Sequence, residues 1–232
     1  FEQTNVRNVT CPRLYPVAPK PGHANGRSVI VVPGGGYQFV SIEQEGFRVA
    51  DRLAAEGYTA YVLKYRTLAT PRDNAAFMAA MARLFGTLGK GELAENPGAV
   101  DDLAAALTHV AGRGGGGTAK PSVIGFSAGS RATIRVIEGK AEAALAGDVA
   151  LIYPPMTQTL TGGPRPPMFL AIAVDDPLFV QGGLKLLSSW MAESPRVEAH
   201  LYSAGSHGFG MNAKGTTSDL WIDQYVARLD RH

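Results

Sequence analysis

The stretch Pro121-Ser122-Val123-Ile124-Gly125-Phe126-Ser127-Ala128-Gly129 decides how this chain folds. Its first half is a short apolar run of strand character, and Ser130 to Glu138 after it suits a helix. Gly125-Phe126-Ser127-Ala128-Gly129 therefore places a G-x-S-x-G pattern at a strand-to-helix junction. Two glycines let the backbone turn sharply there, so the serine hydroxyl stands at the carboxyl end of the strand with a helix N-terminus beneath it. Taken alone, the pattern suits an ordinary tight turn equally well.

Two later segments repeat the placement. Met168 to Val174 is an apolar run ending in Asp175-Asp176-Pro177, and Val197 to Tyr202 leads into Ser203-Ala204-Gly205-Ser206-His207-Gly208-Phe209. Serine, then aspartate, then histidine, each just past a strand, is the chain order of an α/β-hydrolase and differs from the orders of chymotrypsin and subtilisin folds. Of the five histidines, His23 lies in a Pro/Gly-rich stretch, His109 on the Ala-rich segment Val100 to Ala111, His200 within a strand and His232 at the last position. Only His207 occupies a glycine-flanked loop after a late strand, which makes it the expected general base. For the acid, Asp175 is favoured as the first residue out of the strand, where it would hold the His207 tautomer. Asp176 is then left to bond loop amides as a turn residue before Pro177, although an adjacent pair keeps the choice open.

Acyl transfer also needs donors for a developing oxyanion. Val29-Ile30-Val31-Val32-Pro33-Gly34-Gly35-Gly36-Tyr37 runs from a strand into a glycine loop that brings backbone N–H groups close to a reacting carbonyl, as the HGGG loop of lipases does, with proline in place of histidine. Ala128, next after the serine, is expected to supply one amide, and Gly35 or Gly36 the other. A Rossmann phosphate loop fails on spacing: Phe39 stands where the third glycine belongs, and no acidic residue ends the next strand, Thr59 to Tyr65. Gly114 to Gly117 precedes a strand and is expected to be a flexible connection.

The combination Val32-Pro33-Gly34-Gly35-Gly36-Tyr37, Glu45-Gly46, Val49-Ala50, Val62-Leu63-Lys64-Tyr65-Arg66 and Gly125-Phe126-Ser127-Ala128-Gly129, extended by Leu151-Ile152-Tyr153-Pro154, resembles the BD-FAE-like, acetylxylan-esterase-related group of α/β-hydrolases. The resemblance runs from Asn8 to the final helix. It implies a serine carboxylesterase for small acyl esters, often acetyl groups on plant polysaccharide fragments, with no cofactor. Two departures bear on substrate choice: Ser130 replaces the usual glycine after GFSAG, and Thr67 to Pro97 is unlike the expected short proline-rich link.

At 232 residues and 45% hydrophobic, with no repeat or low-complexity linker, residues 1–232 are expected to form one domain. Strands are expected near Arg27 to Val32, Thr59 to Tyr65, Ser122 to Ile124, Val149 to Tyr153, Met168 to Val174 and Val197 to Tyr202. Helices are expected at Glu43 to Glu56, Ala75 to Leu88, Val100 to Ala111, Ser130 to Glu138, Leu178 to Ala192 and Asp219 to Leu229. That alternation means an α/β fold, a mainly parallel sheet with helices on both faces, and residues before Arg27 as antiparallel edge strands. The connections around Leu151 to Val197, including Gly162-Gly163-Pro164-Arg165-Pro166-Pro167, are too short for a large cap domain. The apolar side of Ala75 to Leu88 is expected to bury against the sheet, a partial lid being the alternative.

A formal charge of +2, spread along the chain, gives no reason to expect a nucleic-acid partner, and no apolar run approaches the ~18 residues of a membrane span. A single cysteine, Cys11, excludes an intramolecular disulfide, and no His/Cys/carboxylate cluster has metal-ligand spacing. Phe1 in place of Met and the resemblance together suggest export to the periplasm or outside the cell, with a cytoplasmic location as the alternative. The expected partner is a small ester or an acetylated carbohydrate. Tyr37, Phe126 and Phe209, with Phe39 and Met211, flank the catalytic turns and are the candidates from which an acyl pocket is drawn, burial in the core being the alternative for each. Two other classes share parts of the pattern. A prolyl-oligopeptidase-type peptidase would carry a propeller segment, which is not seen, and a silent carbohydrate-binding relative would have lost a member of the Ser, Asp, His set.

Overall fold

The computed structural model describes residues 4–113, 120–161, 165–194 and 196–231. The Gly114 to Gly117 run, Gly162-Gly163-Pro164, Phe1 and His232 lie outside them. Seven strands form the main sheet: β2 (Arg13–Val17), β3 (Ser28–Val32), β5 (Thr59–Lys64), β6 (Ser122–Phe126), β7 (Val149–Ile152), β8 (Met168–Ala173) and β9 (Val197–Tyr202), in the order β2-β5-β3-β6-β7-β8-β9. All neighbours are parallel except β2, which runs antiparallel along β5 with Tyr15 opposite Val62. A separate two-stranded ribbon pairs β1 (Val6–Arg7) with β4 (Phe39–Val40). Every residue of β6, β7 and β8 is buried, as continuous apolar runs covered on both faces require.

Strand order positions the site. From β3 the chain moves outward to β5 and then crosses back over β3 to β6, so the sheet changes its direction of winding between β3 and β6. The loops leaving the carboxyl ends of two such strands diverge and leave a crevice. Here those loops are the glycine run after Val32 and the turn at Ser127.

The helices are α1 (Arg48–Ala55), α2 (Asn74–Gly86), α3 (Pro97–Gly112), α4 (Ala128–Gly139), α5 (Pro177–Gly182), α6 (Lys185–Met191) and α7 (Trp221–Leu229). Three differ from the sequence expectation. Glu43 to Glu56 opens with a π-helical turn, Glu43–Phe47, before α1. Leu178 to Ala192 is broken at Gly183, whose φ of 57° no helix accommodates. The third concerns α2: only Met81 of it is buried, and its apolar residues face cavities above the glycine loop instead of packing on the sheet. Asp73 caps it, accepting from the Ala76 amide at 2.8 Å. The lid alternative therefore replaces the expected sheet packing, while no large cap is present among the described residues.

Arg66, which ends the Leu63-Lys64-Tyr65-Arg66 string, ties β5 to α3: its Nη2 lies 2.6 Å from Oδ1 of Asp102, a carboxylate 4% exposed. Among the described glycines, the closest backbone approach is that of α4 to β3. A Cβ on Gly129 would lie 2.0 Å from the Val32 carbonyl oxygen, and one on Gly125 would lie 2.7 Å from the Gly129 oxygen. Gly129→Ala is expected to lower unfolding free energy by about 2–3 kcal/mol, since the contact is backbone on backbone and nothing flexible can give way. Urea denaturation checks this, and an unchanged midpoint would contradict it.

Candidate active site

Ser127 sits at φ 48°, ψ −110°, a conformation an L-residue adopts only when its surroundings impose it. Its amide donates to the Ile152 carbonyl at 3.0 Å, continuing the β6–β7 ladder, and its own carbonyl accepts from the Arg131 amide at 3.0 Å, starting α4. Between these two bonds the chain must reverse, and the side chain is thrown clear of the sheet. Ser130, the departure from glycine, is fully buried and its hydroxyl donates to the Gly125 carbonyl at 2.7 Å, with the Ile152 carbonyl at 3.1 Å. The extra hydroxyl thus braces the turn from below.

Ser127 Oγ lies 2.9 Å from His207 Nε2, and His207 Nδ1 donates to Asp176 Oδ2 at 2.8 Å. The structure therefore corrects the choice of Asp175. β8 ends at Ala173, two residues before Asp175, and a turn closed by the Asp176 amide on the Ala173 carbonyl leaves Val174 and Asp175 exposed while returning Asp176 to the interior. Asp176 is fully buried; its other oxygen caps α5 by accepting from the Leu178 amide at 2.8 Å. Asp175 takes the loop role, accepting from the Ser206 amide at 2.8 Å and the Gly205 amide at 3.4 Å, and so holds the turn that carries His207. The two adjacent aspartates have exchanged the duties expected of them.

Gly35 and Gly36 have φ of 123° and 59°, conformations that favour glycine. Gly36 borders both cavities beside Ser127, and Ala128, the first residue of α4, borders the narrower one. That cavity, of 80 Å³, is walled by Tyr37, Leu84, Phe85, Leu88 and Leu178. The wider, of 510 Å³, opens past Phe39, Phe77, Met78 and Asn212. Leu84 of α2 stands directly over the glycine loop: a Cβ on Gly36 would lie 2.7 Å from its Cδ2.

Of the proposed pocket aromatics, Tyr37 borders the narrow cavity, and burial, its largest influence, raises its phenol pKa. Phe126 and Phe209 do not serve there. Both are 0% exposed: Phe126 packs on Tyr153 and Trp221 at 5.9 and 5.5 Å between centroids, and Phe209 on Tyr153 at 4.7 Å. Phe126 points into the core because it precedes the turn and still obeys strand alternation. Leu84 and Phe85 of α2, with Leu88 just beyond it, line the narrow cavity, as the partial-lid alternative for Ala75 to Leu88 allows.

Among the described residues, no group of three or more His, Cys, Asp or Glu could hold a metal, and no helix is long and apolar enough to cross a membrane.

No curated protein matches the chain. Solved structures do match in fold. An alpha/beta hydrolase enzyme from a Medee basin deep-sea metagenome library is 21% identical, covering 99% of this chain and 97% of its own, with a TM-score of 0.63. An acetyl ester-xyloside bifunctional hydrolase from Caldicellulosiruptor lactoaceticus is 18% identical over 99% and 96%, with a TM-score of 0.67. The carboxylesterase Cest-2923 from Lactobacillus plantarum WCFS1 is 16% identical over 99% and 96%, also at 0.67. The family model that matches spans residues 16–228, from the end of β2 to the last turn of α7. With that coverage and this fold, the chain belongs to the dienelactone hydrolase family, within the α/β-hydrolases.

Proposed function

We propose that this member of the family is a serine carboxylesterase for short acyl esters, and that acetyl groups on a carbohydrate alcohol are its substrate class. The observation that carries the proposal is the unbroken line from Ser127 Oγ through His207 to buried Asp176, at 2.9 and 2.8 Å. His207 Nε2 takes the Ser127 proton as Oγ attacks the ester carbonyl, and the amides of Ala128 and of Gly35 or Gly36 hold the oxyanion. Collapse of the tetrahedral intermediate breaks the acyl–oxygen bond, and His207 returns its proton to the departing alcohol. Water deprotonated by the same nitrogen then attacks the acyl-serine and releases the carboxylic acid. Asp176 keeps Nδ1 protonated and stabilises the imidazolium throughout.

Substrate size follows from the two cavities. The narrow one, 80 Å³ and mostly apolar, suits a short acyl group; the open one, 510 Å³ and edged by Asn5, Ser41, Gln44 and Asn212, suits a bulky polar alcohol. Sequence resemblance to the acetylxylan-esterase-related group supports the same assignment. So does the fold likeness to an acetyl ester-xyloside hydrolase. A broader lipolytic range is the second reading, favoured by the exposure of Met78 (64%) and Phe85 (49%) on α2 beside the open cavity.

Three experiments test this. With a chromogenic acetyl ester, Ser127→Ala is expected to lose nearly all turnover while keeping its fold; full activity in that variant would overturn the assignment. Asp176→Asn is expected to lower kcat by about 10⁴, the size of loss known for the corresponding aspartate of chymotrypsin-type enzymes, and Asp175→Asn much less; the reverse ranking would return the acid to Asp175. Wild-type kcat/KM is expected to fall from acetyl to butyryl to octanoyl esters, by about 10-fold or more per overpacked step, and Leu84→Ala is expected to flatten that slope by opening the narrow cavity. An octanoyl maximum in the wild type would establish the lipolytic alternative.

A further inference from the structure

Glu45 is a buried carboxyl group that the acyl-transfer steps do not use. It lies on the π-helical turn before α1, is 8% exposed, and borders the open cavity with Ser127 and His207. Its Oε2 accepts from the Gly34 amide at 2.6 Å and its Oε1 from the Tyr153 hydroxyl at 2.7 Å. A lone structural carboxyl in such a place is costly, because burial disfavours its charge. Burial is indeed the largest influence on Glu45 and raises its pKa, opposed by the Tyr153 bond, the Gly34 amide and the nearby His207.

Both partners lead to reacting groups. Gly34 touches the nucleophile turn: a Cβ there would lie 2.8 Å from Glu45 Oε2, 2.9 Å from the Phe126 carbonyl oxygen and 3.0 Å from Ser127 Cβ. The Tyr65 hydroxyl donates to the Pro33 carbonyl at 2.9 Å, with the Gly34 carbonyl at 3.2 Å, so the Pro33–Gly34 peptide that leads into the glycine run is held at both ends, its N–H by Glu45 and its carbonyl by Tyr65. On the other arm, Tyr153 has φ 37° and sets its ring edge-on to His207 at 5.0 Å. One carboxylate therefore links the glycine loop to the base.

We propose that Glu45 is a positioning residue: as a carboxylate it fixes the oxyanion-donor loop through Gly34 and the His207 ring through Tyr153, and its charge favours the imidazolium that forms during acyl transfer. This rests on the esterase assignment above. Two donors aimed at two different oxygens are what an acceptor-only, ionised carboxylate satisfies. The titratable groups facing Glu45 are Tyr153, Tyr65 and His207, with Asp176 beyond the imidazole; among the described residues no lysine or arginine is bonded to it.

Glu45→Gln keeps the shape and removes the charge. It is expected to melt near the wild type, to lower kcat for the acetyl ester about 10- to 100-fold with KM within about threefold, and to move the acidic limb of the kcat/KM profile to lower pH, because an imidazolium left with Asp176 as its one nearby carboxylate is less favoured than one flanked by two. A kcat and acidic limb equal to wild type would overturn the proposal, as would a fall in kcat matched by a rise in KM with no pH shift. Should Glu45→Gln fail to fold, Tyr153→Phe decides: a fall in kcat at constant KM supports the linkage and an unchanged kcat overturns it. An active wild type with an indifferent Glu45→Gln removes this proposal alone. A wild type that hydrolyses no ester and is not labelled at Ser127 by a fluorophosphonate removes the esterase assignment and this one with it.

Discussion

The conformation of Ser127, φ 48° and ψ −110°, is the constraint on which the rest of the site depends. A non-glycine residue held there costs on the order of 1–3 kcal/mol and stays only if its surroundings over-determine it. They do so here in three ways. The amide is bonded into the β6–β7 ladder, the carbonyl starts α4, and the buried Ser130 hydroxyl joins the Gly125 and Ile152 carbonyls. Gly125 and Gly129 then make the approach possible, since a methyl group on either would meet backbone at 2.7 or 2.0 Å. Strain at one residue is thus distributed over β3, β6, β7 and α4, the elements that also carry the apolar core.

The same principle of fixed supports governs the histidine and its acid. Asp176 is fully buried yet has no stranded oxygen: one meets His207 and the other caps α5. A buried carboxylate satisfied in this way holds an imidazole firmly, because moving the ring would leave a charge without a partner. Asp175, out in solvent, holds the Gly205 and Ser206 amides and so aims the histidine loop from behind. Trp221 completes the support by donating its Nε1–H to the Gly210 carbonyl at 2.6 Å.

Above this rigid face, α2 is built differently. Its core contact is limited to Met81, while Leu84 rests on the glycine loop and Phe77 meets Phe39 at 6.2 Å between ring centroids. Few buried contacts mean a low local cost of displacement. The narrow cavity therefore has one wall of fixed strand ends and another of side chains that a single substitution can reshape, which is where acyl selectivity is set in the proposed reaction.

The fold and the Ser127 and His207 positions were legible in sequence because they depend on local rules: apolar runs of strand length, glycines where the chain must turn, and serine and histidine just beyond strand ends. Other features depend on what lies across space. The choice between Asp175 and Asp176 rested on where β8 stops, and a turn at Val174 rotated the pair so that the second aspartate faces inward. Phe126 and Phe209 are near Ser127 and His207 in sequence but belong to the core, since nearness along a chain does not fix the direction of a side chain at a bend. The destination of α2 was open because an apolar helix face is satisfied by a sheet or by a cavity rim alike. Local composition thus determined the strands, the turns and the residue types at their ends; the tertiary structure alone decided which donors meet which acceptors, because hydrogen bonds between Glu45, Gly34 and Tyr153, or between His207 and Asp176, join segments that only packing of the sheet brings together.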